Sequence, residues 1–258
     1  RRVLRLDEAL IPRDPVQARA TVAANPLLLC HVPKTAGTAL RHLVQAVAPD
    51  ACFAYERQLS LVEPDLDFIA RFRTSPSPSV VMGHFSFGVH RFLGVPPRYA
   101  IVLREPVSRV VSLYRYQLSL ADSPFAAHFH RDRSLAGFVG SGVTEMTNNH
   151  MCRMVAGIAP DVGKVIQGSW LLDCALHNLE RFFPLVGTHE RLDRFVAGLC
   201  GELQWPEGTL PRKNVTPGEY PALDDAAMDL LLERNALDVA LYAHVEKSLA
   251  AQHSSAPA

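Results

Sequence analysis

From residue 27 onward, short apolar runs alternate with segments of helical periodicity. Four runs have the length and composition of buried β-strands: Leu27–Val32, Val80–His84, Tyr99–Leu103 and Phe183–Gly187. Between them, apolar residues recur three and four positions apart, the spacing of one helix face. Strands that alternate with helices favour a parallel sheet, because each parallel connection crosses over the sheet. The pattern therefore predicts an α/β fold, with a central parallel sheet and helices on both faces.

The same pattern gives the extent of the helices and loops. Predicted helices are one that starts near Gly37 and stops before Pro49, one that opens at Pro106, and Leu135–Val139, Thr144–Val155, Trp170–Arg181, His189–Leu203 and Leu223–Leu249. Residues 50–78 have no clear period, and loops are expected over Arg71–Ser79, Ser119–Arg133 and Arg212–Tyr220. One domain is predicted over 1–258, with a lead-in segment at 1–26 and a disordered tail at 251–258.

The segment after the first predicted strand has the composition of a phosphate-binding loop. Pro33-Lys34-Thr35-Ala36-Gly37-Thr38-Ala39 combines a lysine and two hydroxyls with the start of a helix. Backbone N–H groups at a helix N-terminus, together with a lysine, bind phosphate oxygens. A Walker A loop places its lysine after the last glycine, whereas Lys34 precedes Gly37. A phosphate loop of a different kind is therefore indicated.

The third predicted strand leads into a second set of anion-binding residues. Arg104 follows that strand directly, Pro106 opens the next helix, and Ser112 lies eight residues after Arg104. A guanidinium binds a phosphate through two parallel hydrogen bonds. In open α/β sheets, ligands bind at the carboxyl ends of the strands. Because Lys34, His84 and Arg104 each lie at or just past such an end, the pattern predicts that they share one site.

These two segments, in this order and about 70 residues apart, resemble the sulfotransferases that use 3′-phosphoadenosine 5′-phosphosulfate (PAPS). The first resembles their 5′-phosphosulfate loop, and the second resembles their 3′-phosphate-binding Arg and Ser. The branch that contains the carbohydrate 2-O-sulfotransferases and their bacterial relatives is the most similar. The resemblance is strongest from Leu27 to Tyr116 and weaker up to about Tyr242. It implies a P-loop-like α/β fold and a metal-independent transfer of a sulfuryl group to a hydroxyl group.

The resemblance also implies roles for individual residues of the donor site. Lys34 would place a cation at the leaving oxygen, and Arg104 with Ser112 would bind the 3′-phosphate. A late basic loop closes over the nucleotide in this family, which points to Lys213 and Thr216. The 5′-phosphate would be held by the backbone and hydroxyl groups of Pro33, Lys34, Thr35, Ala36, Gly37, Thr38 and Ala39.

His84 is the candidate base that takes the proton of the acceptor hydroxyl. An imidazole has an ordinary pKa near neutrality, which suits this role. In the carbohydrate 2-O-sulfotransferases, a His in a similar Gly-His segment has the same function. His31 is a weaker alternative, because it is expected to be buried on the first strand. Glu56 is another alternative, because many sulfotransferases use a Glu.

For several other side chains, the sequence does not decide between a place in the acceptor pocket and a structural role. Arg109 is predicted to be structural. The remainder are aromatic residues, histidines and two asparagines: Tyr55, Phe85, Phe87, Tyr116, His90, His128, His130, His150, Asn148 and Asn149.

Charge limits the class of partner. The chain has 26 Lys and Arg residues and 26 Asp and Glu residues, so its formal net charge is zero. This balance argues against nucleic acid or a heparin-like polymer as the partner. The resemblance implies a sugar hydroxyl as the acceptor, so a smaller, hydroxyl-bearing compound that contains a sugar is expected.

Cysteine usage and hydropathy predict a cytoplasmic protein. The five cysteines show no C-x-x-C spacing, which argues against a zinc site or a disulfide framework and favours free thiols. No apolar run approaches the roughly 20 residues of a membrane span, and no signal peptide is visible.

Two other functions remain open at this stage. A nucleotide-dependent kinase shares the strand–loop–helix unit, but no predicted strand ends in the Asp that its Mg²⁺ site uses. Consumption of ATP that requires Mg²⁺ would identify a kinase. A non-catalytic module would bind the adenosine bisphosphate tightly without transfer, and the presence of both Lys34 and His84 weighs against it.

Overall fold

The computed structural model describes residues 25–59, 66–74, 78–158, 168–206 and 224–254. The predicted lead-in segment lies outside these residues except for its last two, and the predicted loop Arg212–Tyr220 lies wholly outside them.

A five-stranded parallel sheet lies at the centre of the described residues. Its strands are β1 (Leu27–Cys30), β2 (Cys52–Leu59), β3 (Val80–Phe85), β4 (Tyr99–Leu103) and β5 (Leu185–Thr188). The strand order is β2-β3-β1-β4-β5, and every neighbouring pair is parallel. Strands β1 and β4 are apolar throughout, and β3 is apolar up to His84, because the central strands of such a sheet are covered on both faces.

Helices occupy most of the remaining described chain. They are α1 (Gly37–Val47), α2 (Leu66–Thr74), α3 (Val89–Leu93), α4 (Pro106–Ser119), α5 (Ala126–Phe129), α6 (Leu135–Gly140), α7 (His150–Ala156), α8 (Ser169–Phe182), α9 (Leu192–Leu203), α10 (Asp225–Arg234) and α11 (Ala236–Ser254). Short 3-10 turns, Glu145–Thr147 and His189–Arg191, precede α7 and α9.

Both faces of the sheet are buried, because successive side chains of a strand point to opposite sides. Leu28 and Cys30 pack with α2, α3, α7, α8 and α11 on one face. Leu27 and Leu29 pack with α1 and α9 on the other face. The predicted fold class, a parallel sheet with helices on both faces, is therefore confirmed. A third apolar cluster joins α4, α6 and α10.

The segment between residues 50 and 78 contains elements that its sequence pattern does not predict. β2 is an edge strand, and the polar run Glu56–Gln58 interrupts its apolar pattern. The loop predicted over Arg71–Ser79 is wrong for Arg71–Thr74, which form the end of α2. The loop predicted over Ser119–Arg133 contains the short helix α5.

Two predicted helices are divided, and one runs further than expected. The predicted helix Thr144–Val155 breaks before Asn149, which has a left-handed backbone with φ of 44°. The predicted helix Leu223–Leu249 breaks at Asn235 into α10 and α11. α11 continues to Ser254, past the expected start of the tail at residue 251.

These breaks allow α7 and α11 to cap each other. Asn149 Oδ1 accepts hydrogen bonds of 2.9 and 3.2 Å from the backbone N–H groups of Leu237 and Asp238, in the first turn of α11. The Asp238 carboxylate accepts hydrogen bonds of 3.2 and 2.7 Å from the N–H groups of Met151 and Cys152, in the first turn of α7. Each helix thus satisfies first-turn donors of the other.

The same carboxylate holds a buried arginine of α4. Arg109 is fully buried and lies 4.0 Å from Asp238, and its guanidinium donates a 2.7 Å hydrogen bond to the Met146 carbonyl. Burial raises the pKa of Asp238, and the Arg109 charge opposes that shift. Arg109 therefore has a structural role, in agreement with the sequence prediction.

Candidate functional site

The loop between β1 and α1 turns sharply at the carboxyl edge of the sheet. The Thr35 hydroxyl donates a 2.9 Å hydrogen bond to the Val32 carbonyl. Lys34 and Ala36 adopt left-handed backbone conformations, with φ of 75° and 69°. Such a conformation costs a non-glycine residue roughly 1–2 kcal/mol. The loop therefore holds strained backbone, a feature that clusters at functional sites.

This turn leaves the N-terminus of α1 open. Ala36 is the N-cap residue, and no side chain caps the helix there. The N–H groups in the first turn of any α-helix have no partner within the helix. Here they belong to Gly37, Thr38 and Ala39, which line a cavity together with Lys34. Open N–H groups at a helix N-terminus attract anions.

Strand β4 brings Arg104 to the same edge. Its Nη1 donates a 3.0 Å hydrogen bond to the Lys34 carbonyl and so ties β4 to the loop. Its Nε is buried and has no hydrogen-bond partner among the described residues. The Glu105 carboxylate accepts hydrogen bonds from Val107 and Ser108 at the start of α4. Burial lowers the pKa of Arg104, and the charges of Glu190 and Glu105 oppose this shift. Arg104 therefore has donor capacity left for an anion.

One face of α4 also lines the cavity. Ser112, Tyr116 and Ser119 are spaced four and three residues apart, so they lie on one side of the helix. The Lys34 Nζ lies 4.0 Å from the centroid of the Tyr116 ring, a cation–π contact. Burial, followed by the Arg104 charge, lowers the pKa of Lys34. A lowered pKa helps Lys34 to share its proton with a developing anion.

Three neighbouring strands bring a row of rings to this edge, on the face that α1 covers. The register pairs Gly83 with the last residue of β1 and the third residue of β2. The next residues, Tyr55, His84 and His31, therefore stand side by side. The rings of His31 and His84 are stacked, with centroids 4.5 Å apart and planes inclined by 24°. The Tyr55 ring meets the His31 and His84 rings edge-on, at 5.5 and 5.0 Å.

The hydrogen bonding of His84 assigns its tautomer. Its Nδ1 lies 3.0 Å from the His31 carbonyl oxygen. Because a carbonyl only accepts, Nδ1 carries the proton and Nε2 keeps its lone pair. Burial lowers the pKa of His84 below its ordinary value of 6.5, although the hydrogen bond to His31 opposes this shift. Neutral His84 is therefore the dominant form at neutral pH, with Nε2 ready to accept a proton.

The His31 ring packs directly on the start of α1. A Cβ atom on Gly37 would lie 1.5 Å from His31 Nε2, so only glycine fits at that position. The Nδ1 of His31 is buried and has no partner in the described part of the chain. Burial, followed by the charges of His84, Lys34 and Arg41, lowers the pKa of His31 to about 3. His31 is therefore neutral at physiological pH.

All these parts open into one cavity of about 800 Å³. Three of its described lining residues, Lys34, Arg41 and Arg104, are cations, and none is Asp or Glu. The excess of cations in the described lining favours a ligand with several negative charges. The predicted site residues in its lining are Pro33, Lys34, Ala36, Gly37, Thr38, Ala39, His84, Arg104 and Ser112.

The cavity also contains residues that the sequence pattern does not single out. Arg41, His42 and Gln45 come from the exposed side of α1, and His189 follows β5. The Arg41 guanidinium lies 5.0 Å from the centroid of the Tyr55 ring. For His189 a signal exists, because it lies two residues after the predicted strand Phe183–Gly187. The α1 residues depend on how the helix is rotated against the sheet, which the sequence alone does not give.

Thr35 differs from its predicted role. It is 1% exposed, its hydroxyl is bound to the Val32 carbonyl, and it does not line the cavity. The predicted hydroxyl contact with a phosphate is therefore not supported. Lys213 and Thr216, and the side chain of Glu56, lie outside the described residues.

Most of the residues whose role the sequence leaves undecided are not part of the cavity lining. Tyr55 and Tyr116 line the cavity, but Phe85 and Phe87 pack in the core. Asn149 caps α11, as described above. The cavity lining does not include His90, His128, His130, His150, Asn148 or Asn149.

Two general features of the described residues bear on the site. No group of three His, Cys, Asp or Glu side chains in the described ranges is arranged to hold a metal ion. None of the described helices is both long enough and apolar enough to cross a membrane.

Comparisons with known proteins find a similarity to a solved sulfotransferase. No family model and no curated protein matches the chain. Among solved structures, it is similar to the mouse sulfotransferase SULT7A1 complexed with PAP, at 12% sequence identity and a TM-score of 0.42. The similarity covers 82% of this chain and 64% of that chain, so this chain spans less than two thirds of its length.

Proposed function

We propose that this protein is a sulfotransferase that moves the sulfuryl group of PAPS to a hydroxyl group of an acceptor. The cavity carries the proposal. It joins an open helix N-terminus, Lys34 and Arg104 to a neutral imidazole, His84, without a described carboxylate in its lining. Cations and N–H groups suit an anionic donor, and a neutral imidazole suits an acceptor that has to lose a proton.

The donor substrate has two anionic ends, and the cavity has groups for each. The first-turn N–H groups of Gly37–Ala39, together with Lys34, bind the 5′-phosphosulfate. Arg104 and Ser112 bind the 3′-phosphate, which the unpartnered Nε of Arg104 supports. Lys213 and Thr216 are candidates for closing over the nucleotide.

The transfer is an in-line displacement at sulfur. The acceptor oxygen forms a bond to sulfur while the bond from sulfur to the bridging oxygen of the phosphosulfate breaks. The electron pair of the broken bond stays on the bridging oxygen, where Lys34 stabilises the charge that develops. The acceptor hydroxyl gives its proton to Nε2 of His84, which later releases it to water. The products are 3′-phosphoadenosine 5′-phosphate (PAP) and the sulfated acceptor.

The acceptor binds beside Tyr55, Arg41, His42 and Gln45, which all line the cavity. An aromatic ring together with amide, imidazole and guanidinium donors suits a polyhydroxylated compound, because it offers both an apolar face and fixed polar groups. We therefore propose a carbohydrate or a glycoside as the acceptor. The zero formal net charge of the chain favours a small acceptor over a polyanion.

Calorimetric titration with PAP tests the donor site, with AMP and ATP as control ligands. We expect PAP to bind at least about tenfold more tightly than AMP, because a charge-assisted hydrogen bond contributes roughly 1.5–3 kcal/mol. Arg104→Ala should remove this preference. Arg98→Ala is the matched control, because Arg98 precedes β4 at its other end and pairs with Glu202 at 2.7 Å. Equal affinities for PAP and AMP would contradict the proposal.

Turnover is tested by release of PAP from PAPS in the presence of a panel of monosaccharides, oligosaccharides and glycosides. Unchanged turnover in both Lys34→Ala and His84→Ala would exclude the mechanism. Mg²⁺-dependent consumption of ATP would show a kinase instead.

A further inference from the structure

The ring that covers His84 belongs to a residue that the proposed chemistry does not use. We propose that His31 is the positioning residue of the base: its carbonyl and its ring together fix the tautomer and the direction of His84, and its own nitrogens transfer no proton. This inference rests on the proposed function, in which His84 is the base.

His31 holds the His84 ring at two separate points. The His31 carbonyl accepts the Nδ1 hydrogen bond at 3.0 Å, and the His31 ring lies 4.5 Å away over one face. Tyr55 approaches the same imidazole edge-on at 5.0 Å. Turning the His84 ring about its Cβ–Cγ bond would break the hydrogen bond, and moving it about Cα–Cβ would break the stack. Nε2 is therefore held in one direction.

His31 can hold His84 because His31 is itself fixed. Its backbone N–H donates a 2.9 Å hydrogen bond to the Gly83 carbonyl, which continues the pairing of β1 with β3. Its ring lies against the backbone of Gly37, where a Cβ atom would overlap with Nε2. The sheet and the start of α1 therefore fix the backbone and the ring of His31.

The His31 ring also lines the cavity, but its surroundings disfavour its protonated form. Burial is the main reason that its pKa falls to about 3, so it does not take up a proton near neutral pH. Because it stays neutral, it does not repel the imidazolium that forms on His84 during transfer. The other titratable groups around these two rings are Tyr55 from β2, His150 from α7, and the cations Lys34 and Arg41.

Two variants separate the ring from its nitrogens. His31→Phe keeps a flat ring on His84 and removes both nitrogens, whereas His31→Leu keeps much of the volume and removes the flat ring. The backbone carbonyl of residue 31 is present in both. His244→Ala is the control, because the His244 side chain is exposed on α11.

The first readout is an NMR titration of His84 in protein labelled with ¹⁵N-histidine, without any ligand. In the wild type, His31→Phe and His244→Ala, we expect the Nδ1–H tautomer and a pKa below 6.5. In His31→Leu, water reaches the uncovered face, so the pKa should rise towards 6.5 and the two tautomers should mix. Because this readout needs neither PAPS nor turnover, failure of the proposed function and failure of this inference give different results.

The second readout is kinetic. His31→Leu should lower kcat roughly tenfold to a hundredfold, the range that misplacement of a reacting group produces. The affinity for PAP should be unchanged, and His31→Phe should stay close to the wild type.

Two results would overturn the proposal. One is an unchanged tautomer and pKa of His84 in His31→Leu. The other is loss of turnover in His31→Phe while His84 titrates as in the wild type, because His31 nitrogens would then act in the chemistry. If His31→Leu does not fold, His31→Phe alone tests the proposal. It keeps a flat ring, so the proposal requires that both the tautomer of His84 and the turnover stay as in the wild type.

Discussion

At the scale of single residues, two glycines show how closely the parts of the site approach one another. A Cβ atom would lie 1.5 Å from His31 Nε2 at Gly37, and 2.1 Å from the Ala54 carbonyl oxygen at Gly83. Neither glycine has a positive φ. Glycine is therefore required at these positions because a larger side chain would not fit, and not because the backbone needs an unusual φ. The two glycines let the row of rings, Tyr55, His84 and His31, lie close to α1 and β2.

Gly37→Ala should lower the free energy of unfolding by about 1–3 kcal/mol, because the added methyl group displaces the His31 ring. Urea denaturation measures the change. The double variant with His31→Ala should be no less stable than His31→Ala alone, because the obstructing ring is then absent. Gly201→Ala is the control, since nothing lies within 4 Å of its added Cβ atom. Additive losses in the double variant would contradict the prediction.

Lys34→Ala should lower kcat by about 10²–10³-fold, because it removes the cation that we propose at the leaving oxygen. The affinity for PAP should fall much less, since the N–H groups at the start of α1 and Arg104 remain. Single-turnover kinetics with PAPS and calorimetry with PAP measure the two effects. Equal losses in the rate and in the affinity would show that Lys34 only binds the donor.

At the scale of elements, the reciprocal caps of α7 and α11 reach the site through α4. Asp238 caps α7 and lies beside Arg109 of α4. Ser112 and Tyr116 come from the same helix and line the cavity. The caps therefore fix the helix that carries one wall of the proposed nucleotide site.

Asp238→Ala should lower the free energy of unfolding by about 3–5 kcal/mol, because it leaves the Arg109 charge buried without its partner. Asn149→Gly keeps the left-handed backbone and removes only the cap of α11, so it should cost about 1 kcal/mol. Guanidinium denaturation of both variants measures the difference. A similar loss in both would mean that the caps, and not the buried charge, determine the stability of this region.

At the scale of the whole molecule, histidines with lowered pKa values, among them His31 and His150, link the stability of the fold to pH. His31 lies at the edge of the sheet, and His150 is buried at the start of α7. Burial lowers the pKa of both, to about 3 for His31. In the unfolded chain, both return to the ordinary value of 6.5.

Below pH 6.5 the unfolded chain therefore binds more protons than the folded one, and the free energy of unfolding should fall as the pH falls towards 3. The slope approaches about 1.4 kcal/mol per pH unit for each fully shifted histidine. Urea denaturation between pH 7.5 and 5 measures it. His31→Phe should reduce the slope, and His244→Ala should not. A stability that is constant from pH 7 to 5 would contradict this prediction.

The centre of the sheet is predictable from sequence because β1, β3 and β4 are covered on both faces, so β1 and β4 are apolar throughout and β3 is apolar up to His84. The polar run Glu56–Gln58 breaks the apolar pattern of β2, so the sequence does not predict this strand. An edge strand tolerates such polar residues. Lys34, His84 and Arg104 can be brought to one cavity from the sequence, because the carboxyl ends of parallel strands share one edge. The stacking of His31 on His84 cannot, because it depends on the register between strands and not on local pattern.

That register has a consequence for how this chain tolerates change. Side chains of a strand alternate between the faces, so a shift of β1 by one residue against β3 would carry the His31 ring to the opposite face of the sheet. An insertion or deletion within Leu27–His31 or Val80–His84 should therefore separate the rings of Tyr55, His84 and His31, even if none of these residues is substituted. The number of residues in each strand thus determines whether the site can form.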